Sequence, residues 1–245
     1  MFFVFSVFPL LCHRLADRVV SIDLLTRNRR FGLLVAICLG FTWTASVQAL
    51  TEEKTIRIVA IGDSLTAAYR LASTDAFPAK LERALKDRGR SVEIVNAGVS
   101  GDTAAMGLAR LGRSINNATD AVILELGAND MLKGFEPNVT RAALEDILNK
   151  LEARGVAVLL CGVRTQPSRG SAYQSSFAAM FADLSREHRA LFYPAFDEAF
   201  VDNPELKQSD GLHPTAAGIE AVVVRILPLV DELIDRARRM GRPKP

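Results

Sequence analysis

The chain has 245 residues, 49% hydrophobic and 24% charged, which is enough to bury a full core and ordinary for one globular domain. Its formal charge of +2 traces to the first 49 residues, where Arg14, Arg18, Arg27, Arg29 and Arg30 outnumber Asp17 and Asp23. The remainder is close to neutral and has no block of lysine or arginine able to track phosphates, so a nucleic-acid partner has no support.

Residues 1–49 read as an address rather than a fold. Arginines precede an uncharged apolar run from Phe31 to Trp43, and Val47-Gln48-Ala49 is an acceptable small-residue cleavage site before Leu50. This is the pattern of a secretory signal peptide, giving a periplasmic or secreted protein with a single domain over 50–245. The other reading is an uncleaved anchor, because the stretch to Ala49 approaches the ~20 residues that a spanning helix needs. Thr42, Thr44, Ser46 and Gln48 make its end too polar for that. The earlier "MFFVFSVFPLLCHRLADRVVSIDLL" fits neither role and reads as a misassigned upstream start. Cys12 and Cys38 fall in this leader, and Ile37 before Cys38 is wrong for a lipoprotein signal. Cys161 therefore has no partner for a disulfide beyond Leu50, and it reads as a buried small hydrophobe.

Beyond Leu50, apolar β-rich runs alternate with helical periodicity. The runs are "TIRIVAI", "VEIVNAG", "AVILELG", "VAVLLCG" and, more weakly, "ALFYPAF". Phe77, Leu81, Ala84 and Leu85 share one helical face that ends at Gly89, and Leu144, Ile147, Leu148 and Leu151 share another, closed by Gly155. Tyr173, Phe177, Met180, Phe181 and Leu184 form a third stripe. Ile219, Val222, Val223 and Ile226 begin a last helix, which Pro228 is expected to kink. These stripes read as core packing. Strands apolar on both faces and separated by helices predict an α/β fold with a parallel sheet covered on both sides. Such sheets carry their sites at the carboxyl ends of the strands.

Four polar signals follow. After the first strand comes Gly62-Asp63-Ser64-Leu65, and after the second comes Asn96-Ala97-Gly98-Val99-Ser100-Gly101-Asp102-Thr103. Gly127-Ala128-Asn129-Asp130 follows the third, and Asp210-Gly211-Leu212-His213-Pro214 lies near the end. Each alone reads as a helix cap or a turn. Together they supply an acyl-transfer apparatus. A serine hydroxyl needs a base, and only His188 and His213 follow Leu50. His188, in "SREHRAL" at a polar helix end, reads as solvated, leaving His213 as the base with Asp210 three residues earlier to orient it. The N–H groups of Ser64 and Gly101 and the side-chain amide of Asn129 can serve a developing oxyanion.

Ser64, Gly101, Asn129 and His213, in this order and context, resemble the four blocks of the SGNH (GDSL-type) hydrolases. "GDSLTAAYR", "NAGVSGDT" running into "GLARL", "ELGANDMLKGF" and "DGLHP" resemble the bacterial multifunctional thioesterase I, protease I and lysophospholipase L1 branch, arylesterases included. The resemblance covers Ile56 to the C-terminus. It implies a flavodoxin-like three-layer α/β/α sandwich and a serine esterase or thioesterase acting on aryl esters, lysophospholipids or acyl thioesters. It implies no metal and no cofactor, and structural roles for Asp63 and Asp130. The expected partner is a small-molecule or lipid acyl ester, with transient membrane-lipid contact and no obligate protein partner.

Two departures stand out. Ala68 occupies a position that is often glycine in this branch, which is expected to stiffen the turn after Ser64. "GVRTQPSRGSAYQ" follows the branch's usual loop only loosely, and such a loop would border the acyl pocket. Three other readings fit parts of the same residue set. A carbohydrate or other specialised deacetylase would use the same fold. A metal-dependent phosphoesterase would use Asp63, Asn129, Asp210 and His213 as ligands, for which one histidine is few. A non-catalytic binding module would be expected to have lost at least one of the four blocks.

Overall fold

A computed structural model describes residues 53–241, except the side chain of Pro167; the leader lies outside the described residues. Five strands, β1 (Ile56–Gly62), β2 (Val92–Gly98), β3 (Ala121–Glu125), β4 (Ala157–Cys161) and β5 (Leu191–Tyr193), form one parallel sheet in the order β2-β1-β3-β4-β5. This is the flavodoxin-like order, with its switch point where the connections leaving β1 and β3 run to opposite sides of β1. The weak "ALFYPAF" run yields a strand of only three residues at the sheet edge.

The alternating strand residues separate into two cores. Ile56, Ile58 and Ala60 of β1, with Ala121 and Ile123 of β3 and Leu159 of β4, meet Phe77, Leu81 and Leu85 of α2 (Phe77–Asp87) and Ile219, Val222, Val223 and Ile226 of α7 (Ala216–Met240). Val59, Ile61, Val122, Leu124, Val158 and Leu160 face the other way. They pack against α3 (Ala104–Ser114), α5 (Pro137–Glu152) and α6 (Ser171–Glu187), where Leu144, Ile147, Leu148, Leu151, Phe177, Met180, Phe181 and Leu184 are buried. The result is the expected three-layer sandwich. The α7 helix continues through Pro228 to Met240, because the apolar face of Val230, Leu233 and Ile234 stays buried beyond the proline. Cys161 is buried, and desolvation pushes its thiol well up from the ordinary value.

The short helix α1 (Ser64–Ala67) starts directly from the tip of β1. Asp63 caps it, its Oδ1 accepting the Leu65 N–H at 3.0 Å. Gly62 is required there because a Cβ would fall 2.0 Å from Thr66 Oγ1 and 2.6 Å from Glu125 Oε2. Ala68 ends the helix in the left-handed region, at φ 70 and ψ 52, with its N–H on Ser64 O. The residue that sequence suggested would stiffen this turn thus bears a conformation that glycine adopts without steric cost. Ala68→Gly is expected to raise the unfolding free energy by up to about 1 kcal/mol, read by urea denaturation. An unchanged or lower value would mean that lost chain entropy outweighs the relieved strain.

Candidate active site

The carboxyl edge of the sheet gathers the four polar signals. Ser64 opens α1, and its Oγ lies 2.9 Å from His213 Nε2. The other ring nitrogen, Nδ1, lies 2.9 Å from Asp210 Oδ2, while Asp210 Oδ1 accepts the N–H groups of Leu212 and His213 at 3.0 Å each. These bonds to the charged form hold the Asp210 carboxyl far below the usual carboxylate range. The Asp-x-x-His spacing therefore works as a compact turn in which the carboxylate fixes both the loop backbone and the imidazole.

Gly101 sits in the loop after β2 at φ 87, left-handed and exposed. Among the described residues, neither its N–H nor that of Ser64 donates to a protein acceptor. Asn129 lies in α4 (Ala128–Lys133), and its Nδ2 is 2.9 Å from Asp63 Oδ2 and 3.0 Å from Asp102 O. Both amide hydrogens thus have protein acceptors, which fixes the amide beside Ser64 and Gly101 at the rim of one cavity. Asp130, next in the chain, is buried; its Oδ2 accepts the Ala104 N–H at 2.9 Å and its Oδ1 the Thr140 hydroxyl at 3.3 Å, joining α4 to α3 and α5.

Two members of this edge lie inside the quoted motif stretches, Glu125 opening "ELGANDMLKGF" and Arg110 within "GLARL", yet the sequence reading gives them no role there. Glu125, the last residue of β3, is buried behind the turn, its Oε2 accepting the Thr66 hydroxyl at 2.8 Å and the Asp63 N–H at 3.3 Å. Burial, and then the neighbouring Asp63 charge, push its carboxyl well above the ordinary value. A lone acid in an otherwise apolar parallel strand was the available signal. Arg110 of α3 pairs with Asp102 at 2.5 Å and donates to the carbonyls of Ala97 at 2.7 Å and Gly62 at 3.0 Å, clamping the ends of β2 and β1. His188 lies elsewhere, at the carboxyl end of α6. Its Nδ1 is 3.4 Å from Glu152 and its side chain is only 10% exposed, so it packs against the end of α5 rather than standing in solvent.

The cavity of about 630 Å³ that opens at Ser64 runs over Leu65, Met131, Leu132, Val163, Phe200 and Val201. The divergent loop after β4 forms part of its wall through Arg164, Thr165 and Gln166, as its position suggested. That loop is tied down by Arg164, whose N–H donates to Asp197 Oδ1 at 3.2 Å and whose guanidinium meets Asp202 at 2.9 Å. Asp63, Asp210 and His213 do not bring three ligand atoms within 4.8 Å of one another. Among the described residues that convergence occurs at Glu145, Glu187 and His188, where Arg141 pairs with both glutamates.

A parallel sheet with a serine, a histidine and an aspartate in hydrogen-bonded sequence at its carboxyl edge is the arrangement of an acyl hydrolase. The model of the GDSL-like Lipase/Acylhydrolase family matches residues 60–221. The chain belongs to that family, and with it to the carboxylic ester hydrolases. It is 35% identical to an arylesterase of Vibrio mimicus over 182 residues, 74% of this chain and 88% of that protein. It is 36% identical to thioesterase 1/protease 1/lysophospholipase L1 of Escherichia coli over 159 residues, 64% of this chain and 74% of that one. The solved structure of AlinE4, an SGNH-hydrolase family esterase, superposes with a TM-score of 0.62 at 41% identity, covering 73% of this chain and 96% of that one.

Asp63 sets a pH dependence. Burial raises its carboxyl from 3.8 to about 6, against the opposing pull of the Leu65 N–H, His213 and Asn129. A folded state that holds this proton more tightly than the unfolded chain loses stability as pH rises through that window. The unfolding free energy is expected to fall by about 3 kcal/mol at most between pH 4 and 7 from this group, with a visibly smaller slope in Asp63→Asn. Chemical denaturation at stepped pH reads it, and equal slopes in the two proteins would assign the effect to other carboxyls.

Proposed function

We propose that this chain is an exported serine esterase that cleaves acyl esters and thioesters through an acyl-enzyme. The observation that carries the reading is the continuous line Ser64 Oγ, His213 Nε2, His213 Nδ1, Asp210 Oδ2, with 2.9 Å at each of its two hydrogen bonds. His213 takes the Ser64 proton as Oγ attacks the carbonyl carbon, and Asp210 stabilises the imidazolium that results. The carbonyl oxygen becomes an oxyanion facing the N–H groups of Ser64 and Gly101. Asn129 adds a third donor by sharing the hydrogen that otherwise rests on Asp102 O. His213 returns its proton to the leaving oxygen or sulfur, and water, activated by the same imidazole, releases the acid.

The apolar floor of Leu65, Met131, Leu132, Val163, Phe200 and Val201 supports acyl groups longer than acetyl, and so favours this reading over a deacetylase. Export rests on the sequence of residues 1–49; amino-terminal sequencing of protein recovered outside the cytoplasm should begin at Leu50, and an intact Phe31–Ala49 stretch would support the anchored form.

With p-nitrophenyl esters, kcat/KM is expected to rise from acetate toward medium chains by up to about fourfold per methylene, following the free energy of burying each CH2. Ser64→Ala should lower turnover by at least about 10³-fold without changing the thermal midpoint. Activity retained in Ser64→Ala would overturn the serine mechanism, and a maximum at acetate would favour the deacetylase.

A further inference from the structure

Ser64 and His213 are 149 residues apart in sequence and stand on different supports. Ser64 is built into the rigid tip of β1. His213 stands on a loop whose strand-like contact, among the described residues, is the isolated Lys207–Pro214 bridge. Something other than chain connectivity must set the 2.9 Å between them. Among the described residues, two hydrogen bonds join the segment 63–71 to the segment 206–215. One is the Ser64–His213 bond itself, and the other runs from Gln208 Nε2 to Tyr69 O at 2.9 Å.

Gln208 is placed for this. Its backbone N–H donates to His213 O at 2.8 Å and its backbone carbonyl accepts the Gly211 N–H at 2.9 Å, so its main chain closes the turn that carries Asp210 and His213. Its side-chain nitrogen also lies 2.8 Å from Pro214 O, so both amide hydrogens have backbone acceptors, one on each segment. Tyr69 completes the junction from the other side. Its ring centroid lies 4.3 Å from that of His213, tilted by 33°. The residues on either side of it, Ala68 at φ 70 and Arg70 at φ 54, are both left-handed. Two successive departures of this kind around one residue are costly and persist where surrounding contacts hold them. Here they turn the chain out of α1 so that the Tyr69 ring lies on the imidazole and its carbonyl meets Gln208.

We propose that Gln208 and Tyr69 are positioning residues that latch the His213 loop onto the nucleophile turn and set the distance across which the Ser64 proton moves. One part-buried hydrogen bond is too weak by itself to hold a loop in one register. The ring contact and the bridging amide restrict the imidazole in two further directions. Misplacement of a reacting group by about 1 Å can cost 10²-fold in rate, so the latch acts on turnover more than on binding.

The latch rests on the serine-esterase reading, and the test separates the two. The variants Ser64→Ala, Gln208→Ala, Gln208→Glu, Tyr69→Phe and Tyr69→Leu are measured for kcat and KM on one p-nitrophenyl ester. The serine that reacts with a fluorophosphonate is titrated, and the thermal midpoint is recorded. Gln208→Ala and Tyr69→Leu are expected to lower kcat per titratable serine by about 10- to 100-fold, with KM within about twofold of wild type. Gln208→Glu, which turns an acceptor toward two carbonyls, should be at least as impaired. Tyr69→Phe keeps both the ring and the carbonyl and should remain near wild type.

A silent Ser64→Ala beside undiminished kcat in Gln208→Ala and Tyr69→Leu would overturn the latch alone. The latch is also overturned if those variants lose titratable serine and thermal stability while kcat per remaining site is unchanged, since that is a purely structural role. If the Gln208 variants do not fold, the contrast between Tyr69→Phe and Tyr69→Leu decides, equal turnover in the two overturning the proposal. Hydrolysis persisting in Ser64→Ala would remove the reading on which the latch depends.

Discussion

The Asp63 carboxylate is the group on which the carboxyl edge of this sheet depends. Where a parallel strand ends, its backbone groups lose their ladder partners and side chains must replace them. Asp63 does so in two directions, capping α1 through Oδ1 and holding Asn129 through Oδ2. The second hydrogen of Asn129 reaches Asp102 O, the Asp102 carboxylate holds Arg110, and Arg110 returns to the carbonyls of Ala97 and Gly62. The circuit closes on the residue before Asp63. Ser64 and Gly101 lie on the chain between its members, so their free N–H groups are aimed by the same bonds.

This arrangement opposes stability to function. Asp63 and Glu125 are neighbouring buried acids, both raised first by burial, Asp63 further by the charge of Asp102 and Glu125 further by that of Asp63. Buried like charges are unfavourable, and an apolar pair of the same volume would pack without that penalty. What the acids supply is acceptors. Glu125 receives the Asp63 N–H and the Thr66 hydroxyl, two donors that would otherwise be buried without partners at the most crowded point of the turn. Gly62 shows the crowding, since no side chain fits between Thr66 and Glu125.

Much of this was legible because it is periodic or local. Strands apolar on both faces, the stripes at Phe77–Leu85 and Leu144–Leu151, and the Asp210-to-His213 spacing all encode their partners within a few residues. Arg110 and Gln208 were not legible because their acceptors are mostly backbone carbonyls, which every residue carries and no sequence pattern marks. Glu125 is hidden inside an apolar run. The expectation for His188 missed for a related reason. A histidine at a helix end reads as solvated unless the end of α5, with Glu152, is known to close over it. For Ala68 the sequence marked the right position, but only the backbone shows that a left-handed conformation, rather than stiffness, is what the position demands.

The site therefore has two halves of different construction. The half that carries Ser64, Gly101 and Asn129 belongs to the sheet edge and its polar circuit, so it should keep its geometry as long as the sheet is folded. The half that carries His213 and Asp210 is internally rigid, because Asp210 fixes its own turn, yet among the described residues two hydrogen bonds tie it to the nucleophile turn. Local openings in proteins follow such differences in contact density. Loosening of this chain should then begin at the histidine loop, separating an intact nucleophile and oxyanion hole from an intact Asp–His pair. Activity would be lost before the fold, and it would return without refolding the core.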